Sequence, residues 1–582
     1  MSTRRVWAPS AAKVDLVTAS GRVPMTKESG GWWRVELADD WSRSDYAFIL
    51  DGGPPLPDPR SPWQPHGVHG FSRPVDHSSS AWSDSGWQPA PLSSAIIYEC
   101  HVGTFTSAGT FDAAVERLSY LRELGVTHLE IMPVGEFPGT RGWGYDGVDL
   151  YAPNHGYGGP DAMKRLVDAC HANGIGVILD VVYNHFGPDG NYLRQFGPYL
   201  TNRYVTPWGQ AINLDDAGSS EVRRYLCDNA LMWMRDYHVD GLRIDAIHAI
   251  FDASVIHFLE QLASEVEALS ARLGRHLILI AESDLNQPRV VVPREAGGYG
   301  IDAQWSDDFH HALHALLSGE RDSYYADFGA LADLAKSLTR VFVNDGGYSR
   351  FRRRNHGRPI PSGLLGHRFV GFLQNHDQVG NRAKGERIGH LISVDRLKVA
   401  SALLFASPFI PMLFQGEEWN ASSPFQYFTD HTDPGLADAV SKGRRAEFPE
   451  SARSEVPDPQ SAETFQRSKL DWSERERGDH RDVLQWYRAL IAMRRSVPDL
   501  ADGRLERTAV SFDEAARWLW MRRGACVVAC NLAATGQRIS LDTGSEQLVI
   551  ALASKSEARL EAAAVYLPPV SVAILTPTQL AD

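Results

Sequence analysis

Gly-Leu-Arg-Ile-Asp-Ala-Ile-His, residues 241–248, starts as an apolar strand and ends in charge. Side chains alternate along a strand, so Arg243 and Asp245 fall on one face and Leu242 and Ile244 on the other. Three more segments share this design: Asp-Val-Val-Tyr-Asn-His (180–185), Ile-Ala-Glu-Ser (280–283) and Leu-Gln-Asn-His-Asp-Gln (373–378). One acid closing a strand is well explained as a helix N-cap or a turn former. Four polar strand ends in a β/α alternation face one rim. In a parallel barrel that rim is where chemistry is built.

Outward from residue 241 the alternation continues. Candidate strands are Ala95–Glu99, Thr127–Val134, Val177–His185, Val239–Ile247, Leu277–Ser283, Ala303–Phe309, Arg368–Asp377 and Phe409–Glu417. Helical segments lie between several of them, including Phe111–Leu124, Pro160–Asn173 and Ser220–Tyr237, and a helix at His480–Val497 closes the set. Eight buried strands with crossover helices predict an α/β fold, a (β/α)8 TIM-type barrel. A doubly wound open sheet is the structural alternative.

Residues 1–92 carry short alternating runs, Lys13–Thr18 and Trp32–Leu37, divided by Gly, Pro, Asp and Ser clusters. They predict an N-terminal β-sandwich of immunoglobulin-like type. Asp51–Pro65 reads as a proline-rich loop. After Pro498 short strands return at Trp518–Met521, Ala525–Asn531, Gln547–Ala551 and Val570–Leu575, predicting a C-terminal β-sandwich. The expected division is 1–92, 93–498 and 499–582.

The 582 residues are 43% hydrophobic, enough for a large core, and their net charge is −14. The one basic run, Arg352-Arg353-Arg354, is too short for the basic stripe of a nucleic-acid binder. The 16 Trp and 19 Tyr suit stacking on sugar rings, and equally suit anchoring a large core. Five scattered cysteines do not form a disulfide framework. The N-terminal stretch lacks an apolar signal segment and no run of eighteen apolar residues occurs, so a cytoplasmic protein with no membrane partner is expected.

The four motifs, in this order, resemble those of the α-amylase family of glycoside hydrolases, and the likeness spans nearly the whole chain. The resemblance implies roles at matched positions. Asp245 would be the nucleophile, Glu282 the general acid and then base, and Asp377 the group that binds sugar hydroxyls and steadies the oxocarbenium-like state. Retention of configuration needs this pairing of one ionised and one protonated carboxyl. Arg243 would keep Asp245 ionised and aimed. Asp180 would orient Arg243 or close the floor. His185 and His376 would donate to sugar hydroxyls, Tyr145 would stack under the sugar before the scissile bond, and His248 would contact the leaving-side sugar. No cofactor is implied. His310, His311 and His314 have a zinc-like spacing without a third ligand, and Asn184 matches a calcium ligand of many α-amylases without a full oxygen cage, so no metal is expected.

Finer spellings narrow the likeness. DVVYNHFGPDGNYL (180–193), FHHALH (309–314), FLQNHDQVGNR (372–382) and FQYFTDH (425–431) resemble the maltooligosyltrehalose trehalohydrolase branch. That branch implies maltooligosyltrehalose as substrate and a pathway link to a maltooligosyltrehalose synthase. Trp419, Phe425, Tyr427 and Phe428 are candidates for the wall that reads the trehalose end. A branching or debranching enzyme, a non-catalytic glucan-binding barrel and a metal-dependent hydrolase built on the histidine cluster are the competing readings.

Overall fold

The computed structural model describes residues 2–38, 43–541 and 547–578. Its centre is a closed barrel of eight parallel strands in chain order: β1 Ile97–Cys100, β2 His128–Ile131, β3 Gly176–Val181, β4 Gly241–Ile244, β5 Ile278–Ala281, β6 Ala303–Trp305, β7 Phe369–Phe372 and β8 Ile410–Phe414. β8 pairs with β1 through Met412–Ile97, Leu413–Tyr98 and Phe414–Glu99, which closes the ring. All eight expected strands are present, and the open sheet is excluded.

Each strand is shorter than its apolar run. The reading Val177–His185 ends at Val181, and Ala303–Phe309 ends at Trp305, where the helix Asp307–Ser318 begins two residues later. Apolar residues continue past the ladder because loops and helices over the barrel mouth are also buried. Inside, Ile97, Ile178, Ile280, Trp305, Phe372 and Met412 fill the lower layers. Those bulky apolar side chains make the barrel a packed core rather than a pore. The polar strand ends above them are thereby confined to the C-terminal mouth.

The expected helix Phe111–Leu124 is two pieces, Phe111–Val115 and Leu118–Leu124. Thr110 caps the first by accepting from the Ala113 amide at 3.3 Å. The helices Gly159–Ala172, Ser219–Asp236 and Gly478–Ser496 stand within one or two residues of their expected limits.

Before the barrel lie a three-stranded sheet (Ser2–Trp7, Trp32–Leu37, Thr26–Lys27) and a four-stranded one (Gly21–Pro24, Val14–Thr18, Tyr46–Leu50, Pro55–Leu56). In Trp32–Leu37 the inward positions Trp33, Val35 and Leu37 are buried while Arg34 and Glu36 are exposed, the period of a half-buried strand. Part of the segment expected as loop forms the short strand Pro55–Leu56. After the barrel, a five-stranded and a three-stranded antiparallel sheet share a core of Val527, Ile539, Val565 and Leu575. Four of their strands, Thr508–Asp513, Gln537–Ser540, Arg559–Glu561 and Ala564–Leu567, were not legible. Those runs are short, and the first buries only Thr508.

Candidate active site

Arg243 leaves β4 into the barrel mouth with 1% of its side chain exposed. Its Nη1 donates to Asp180 Oδ2 at 2.7 Å and to Asp245 Oδ1 at 2.9 Å. Its Nη2 lies 3.1 Å from Glu282 Oε2, and its guanidinium packs over the Trp305 ring, 4.1 Å from the centroid. One cation therefore ties carboxyls from β3, β4 and β5, a geometry that only a planar fork of donors can serve.

Asp245 follows β4 directly. Asn184, carried past the end of β3, donates from Nδ2 to both the Asp245 backbone oxygen (2.8 Å) and Oδ2 (2.6 Å). Burial pushes the Asp245 carboxyl up, but Arg243, His185 and Asn184 outweigh it, and its pKa lies below the ordinary value. The next residue, Ala246, has φ 38°, a left-handed conformation that costs a non-glycine residue on the order of 1–3 kcal/mol. That turn aims the Ala246 amide at Glu282 Oε2, 2.7 Å away. Glu282 goes the opposite way. Burial, reinforced by the charges of Asp245 and Asp377 and only partly offset by Arg243, raises it to about 8. Two carboxyls on one guanidinium are thus split into an anion and an acid, the division of labour that glycosidic cleavage uses.

Asp377 stands in the short helix His376–Gly380, just beyond β7. Its neighbour His376 is held from below by Glu99 of β1, which accepts the His376 backbone amide at 2.9 Å and faces Nδ1 at 2.5 Å. His376 Nε2 meets the Tyr145 hydroxyl at 2.8 Å, and that hydroxyl donates to Asp180 Oδ2 at 2.6 Å. Both ring nitrogens of His376 are engaged, and the Glu99 carboxylate favours the charged ring. Burial opposes its charge, but Glu99 prevails and raises its pKa. Glu99, His376, Tyr145, Asp180, Arg243 and Asp245 form one continuous hydrogen-bonded chain under the mouth, with the neutral Tyr145 hydroxyl between His376 and Asp180.

Tyr145, His185, Arg243, Asp245, His248, Glu282, His376 and Asp377 all line one open pocket of about 400 Å³. The structure brings together every expected site residue. It changes what two of them offer. His185 faces Asn184 Oδ1 with one nitrogen and the Tyr145 carbonyl with the other at 3.0 Å, and His376 is occupied as described. Neither ring nitrogen is spare for a sugar without exchanging a protein partner.

Of the four expected wall aromatics, only Tyr427 lines the pocket. Trp419, Phe425 and Phe428 are fully buried, Phe425 being stacked on Trp143 at 5.2 Å. They are core beneath the loop, because adjacent aromatics pack on one another before they face water. The sequence reading missed two wall aromatics, the nearly buried Trp143 and Trp208, the latter 48% exposed in the turn between Leu200–Thr206 and Gly209–Ile212 and stacked on His185 at 4.6 Å. The one signal for Trp208 is an isolated Trp in a Pro-Trp-Gly turn, where no core is available to it. Arg352, read only as part of a basic run, reaches Asp284 at 2.9 Å, two residues beyond Glu282, and His248 Nδ1 approaches the same carboxylate at 3.7 Å.

Asn184 spends its amide on Asp245 and His185. His314 meets Glu320 at 2.7 Å and His310 meets the Tyr325 hydroxyl at 3.2 Å. Among the described residues no group of three or more His, Cys, Asp or Glu could hold a metal ion, and no helix is long and apolar enough to cross a membrane. All five cysteines are buried, and among the described residues none is in a disulfide.

A closed (β/α)8 barrel with an acid and an anion paired at its C-terminal mouth is the architecture of a barrel glycosidase. A profile described as the α-amylase catalytic domain matches residues 80–205, and one described as a domain of unknown function matches 503–574. The chain is 49% identical over 580 residues to a malto-oligosyltrehalose trehalohydrolase of Rhizobium sp. strain M-11, covering 98% of this chain and 97% of that one. It is 52% identical to the protein of the same name from Arthrobacter ramosus (85% and 87% covered) and 45% identical to that of Saccharolobus solfataricus (90% of each). The chain belongs to the malto-oligosyltrehalose trehalohydrolase family. Among solved structures, a protein described as an α-amylase from Salmonella typhimurium superposes with a TM-score of 0.90 at 38% identity, over 99% of this chain and 97% of that one. A pullulanase from Anoxybacillus shares the fold at a TM-score of 0.73 and 19% identity, over 98% of this chain and 85% of that one.

Proposed function

We propose that this protein is a retaining glycoside hydrolase that cleaves the α-1,4 bond joining a maltooligosaccharide to a terminal trehalose, releasing trehalose and the shortened oligosaccharide. The observation that carries the mechanism is the opposite displacement of Asp245 and Glu282 around Arg243. Ionised Asp245 attacks the anomeric carbon. Glu282 gives its proton to the glycosidic oxygen as that bond breaks, and trehalose departs with it. A covalent glycosyl–Asp245 ester remains. Glu282, now a carboxylate, takes a proton from water, the water displaces Asp245, and both groups return to their starting states. Asp377 binds sugar hydroxyls across the pocket. The shared guanidinium suits the separation of about 5 Å that direct carboxylate attack requires.

The leaving trehalose occupies the side of Glu282 that continues to His248, Asp284 and Arg352. Arg352 and His248 hold Asp284 as an anion against its burial, which gives that rim a fixed acceptor for hydroxyls. On the opposite side Tyr145, Trp208 and Tyr427 offer aromatic surface to the glucan. In this reading a maltooligosyltrehalose synthase supplies the substrate. Buried cysteines outside any disulfide suit a cytoplasmic setting.

The test is product analysis of maltotriosyltrehalose and, separately, maltopentaose, with Asp245→Asn as the blank. Trehalose from the first, little action on the second and nothing from the variant is the expected result. Equal cleavage of both, or new branch points, would discard the trehalose assignment.

A further inference from the structure

The three carboxyls facing the pocket are braced unequally. Asp245 is held by Arg243 and twice by Asn184, and Glu282 by Arg243 and the Ala246 amide. Asp377 has a single side-chain partner among the described residues: Asn381 Nδ2 donates to its Oδ1 at 2.6 Å. Asn381 closes the five-residue helix His376–Gly380, and its backbone amide donates to the Asp377 carbonyl at 3.0 Å. Its side chain is thereby returned over the carboxylate four residues before it, the spacing at which helical side chains meet. Asn381 also lines the pocket.

We infer that Asn381 is a positioning residue for the reaction, its amide setting the rotamer of Asp377 while leaving the second carboxylate oxygen to sugar hydroxyls. This rests on the role proposed above for Asp377. The carboxylate, only half-buried on a short helix, has no guanidinium to aim it. One charge-assisted hydrogen bond decides whether Oδ2 faces the sugar. A misplacement of about 1 Å in such a group costs on the order of a hundredfold in rate. The amide is also neutral, so it orients Asp377 without adding a charge to a mouth that already holds Asp245 and Glu282.

The experiment compares Asn381→Asp, Asn381→Ala and Asn381→Ser with Asp377→Asn on maltotriosyltrehalose, as kcat and KM from pH 4 to 9. Asn381→Asp places two carboxyls in contact, and they share one proton when the medium is acidic enough. In that state the new acid donates to Asp377 as the amide did, so activity stands close to the parent's. Once the shared proton is lost, the two anions repel, and kcat/KM falls about a hundredfold below the parent's, on the acid side of the parent's own alkaline loss. Asn381→Ala and Asn381→Ser lose about tenfold at every pH with the parent's profile shape, matching the loss of one hydrogen bond to a charged group. Asn381 is exposed, so these variants fold, and an unchanged thermal midpoint checks it. An Asn381→Asp profile parallel to the parent's, or Asn381→Ala within twofold of the parent, overturns the inference. If Asp377→Asn itself stays active, the reading of Asp377 fails instead.

Discussion

Replacing Glu282 by Gln should abolish hydrolysis and yet stabilise the protein, by an amount that depends on pH. The carboxyl titrates near 4.5 when free and at about 8 in the folded chain. Between those values the folded state binds a proton that the unfolded state has released, so stability falls as pH rises through this window. The penalty is absent below pH 4.5, reaches about 3 kcal/mol at pH 7 and levels off near 5 kcal/mol above pH 8, at about 1.4 kcal/mol per unit. Gln keeps a carbonyl to accept from Ala246 and Arg243, and it carries no charge to bury. The assay is differential scanning calorimetry of parent and Glu282→Gln at pH 5, 6, 7 and 8. The midpoint advantage of the variant should be small at pH 5 and grow at each step. An advantage constant across pH, or a less stable variant at pH 8, would refute the account of why Glu282 carries a proton. In the same variant hydrolysis of maltotriosyltrehalose should fall by about 10³-fold or more, while a glycosyl fluoride, whose leaving group needs no acid, still releases fluoride in a burst and then stalls at the Asp245 ester, which has lost its base for water.

Asp245→Asn should lower kcat by more than about 10⁴-fold, the scale on which removing a covalent nucleophile acts. A fluorinated glycosyl fluoride should label the parent at Asp245, read by peptide mass. Arg352→Ala strips Asp284 of its 2.9 Å partner, and KM for maltotriosyltrehalose should rise about tenfold or more, the worth of a hydrogen bond between charged groups. Hydrolysis of maltopentaose should not change, and equal losses on both would place Arg352 outside leaving-side recognition. Dialysis against a chelator should leave kcat/KM untouched, because Asn184 and His314 are engaged with protein partners. A loss restored by calcium or zinc would contradict that assignment.

Much of this site is written in the chain. Strand alternation alone put Arg243 and Asp245 on one face, and they meet at 2.9 Å. The same rule lifted the ends of β3, β5 and β7 to one rim, and all eight site residues read from the motifs line one pocket. Local patterns of apolar period and strand-end charge decide such matters, because they concern residues a few positions apart.

Other features belong to the tertiary structure. No local signal pairs Glu99 with His376 across 277 residues, Arg352 with Asp284, or Trp208 with His185. These contacts depend on strand tilt and loop path. The sequence marks the loop after β8 as aromatic, but only packing decides that Trp419, Phe425 and Phe428 go inside and Tyr427 reaches the pocket. The proton on Glu282 is likewise a tertiary property. A glutamate is ionised near neutral pH by its own chemistry, and it holds its proton here because the fold buries it beside Asp245 and Asp377. The sequence by itself determined which residues could do chemistry and on which rim. The closed barrel decided their charge states and their aim, because desolvation and Coulomb coupling act through space rather than along the chain.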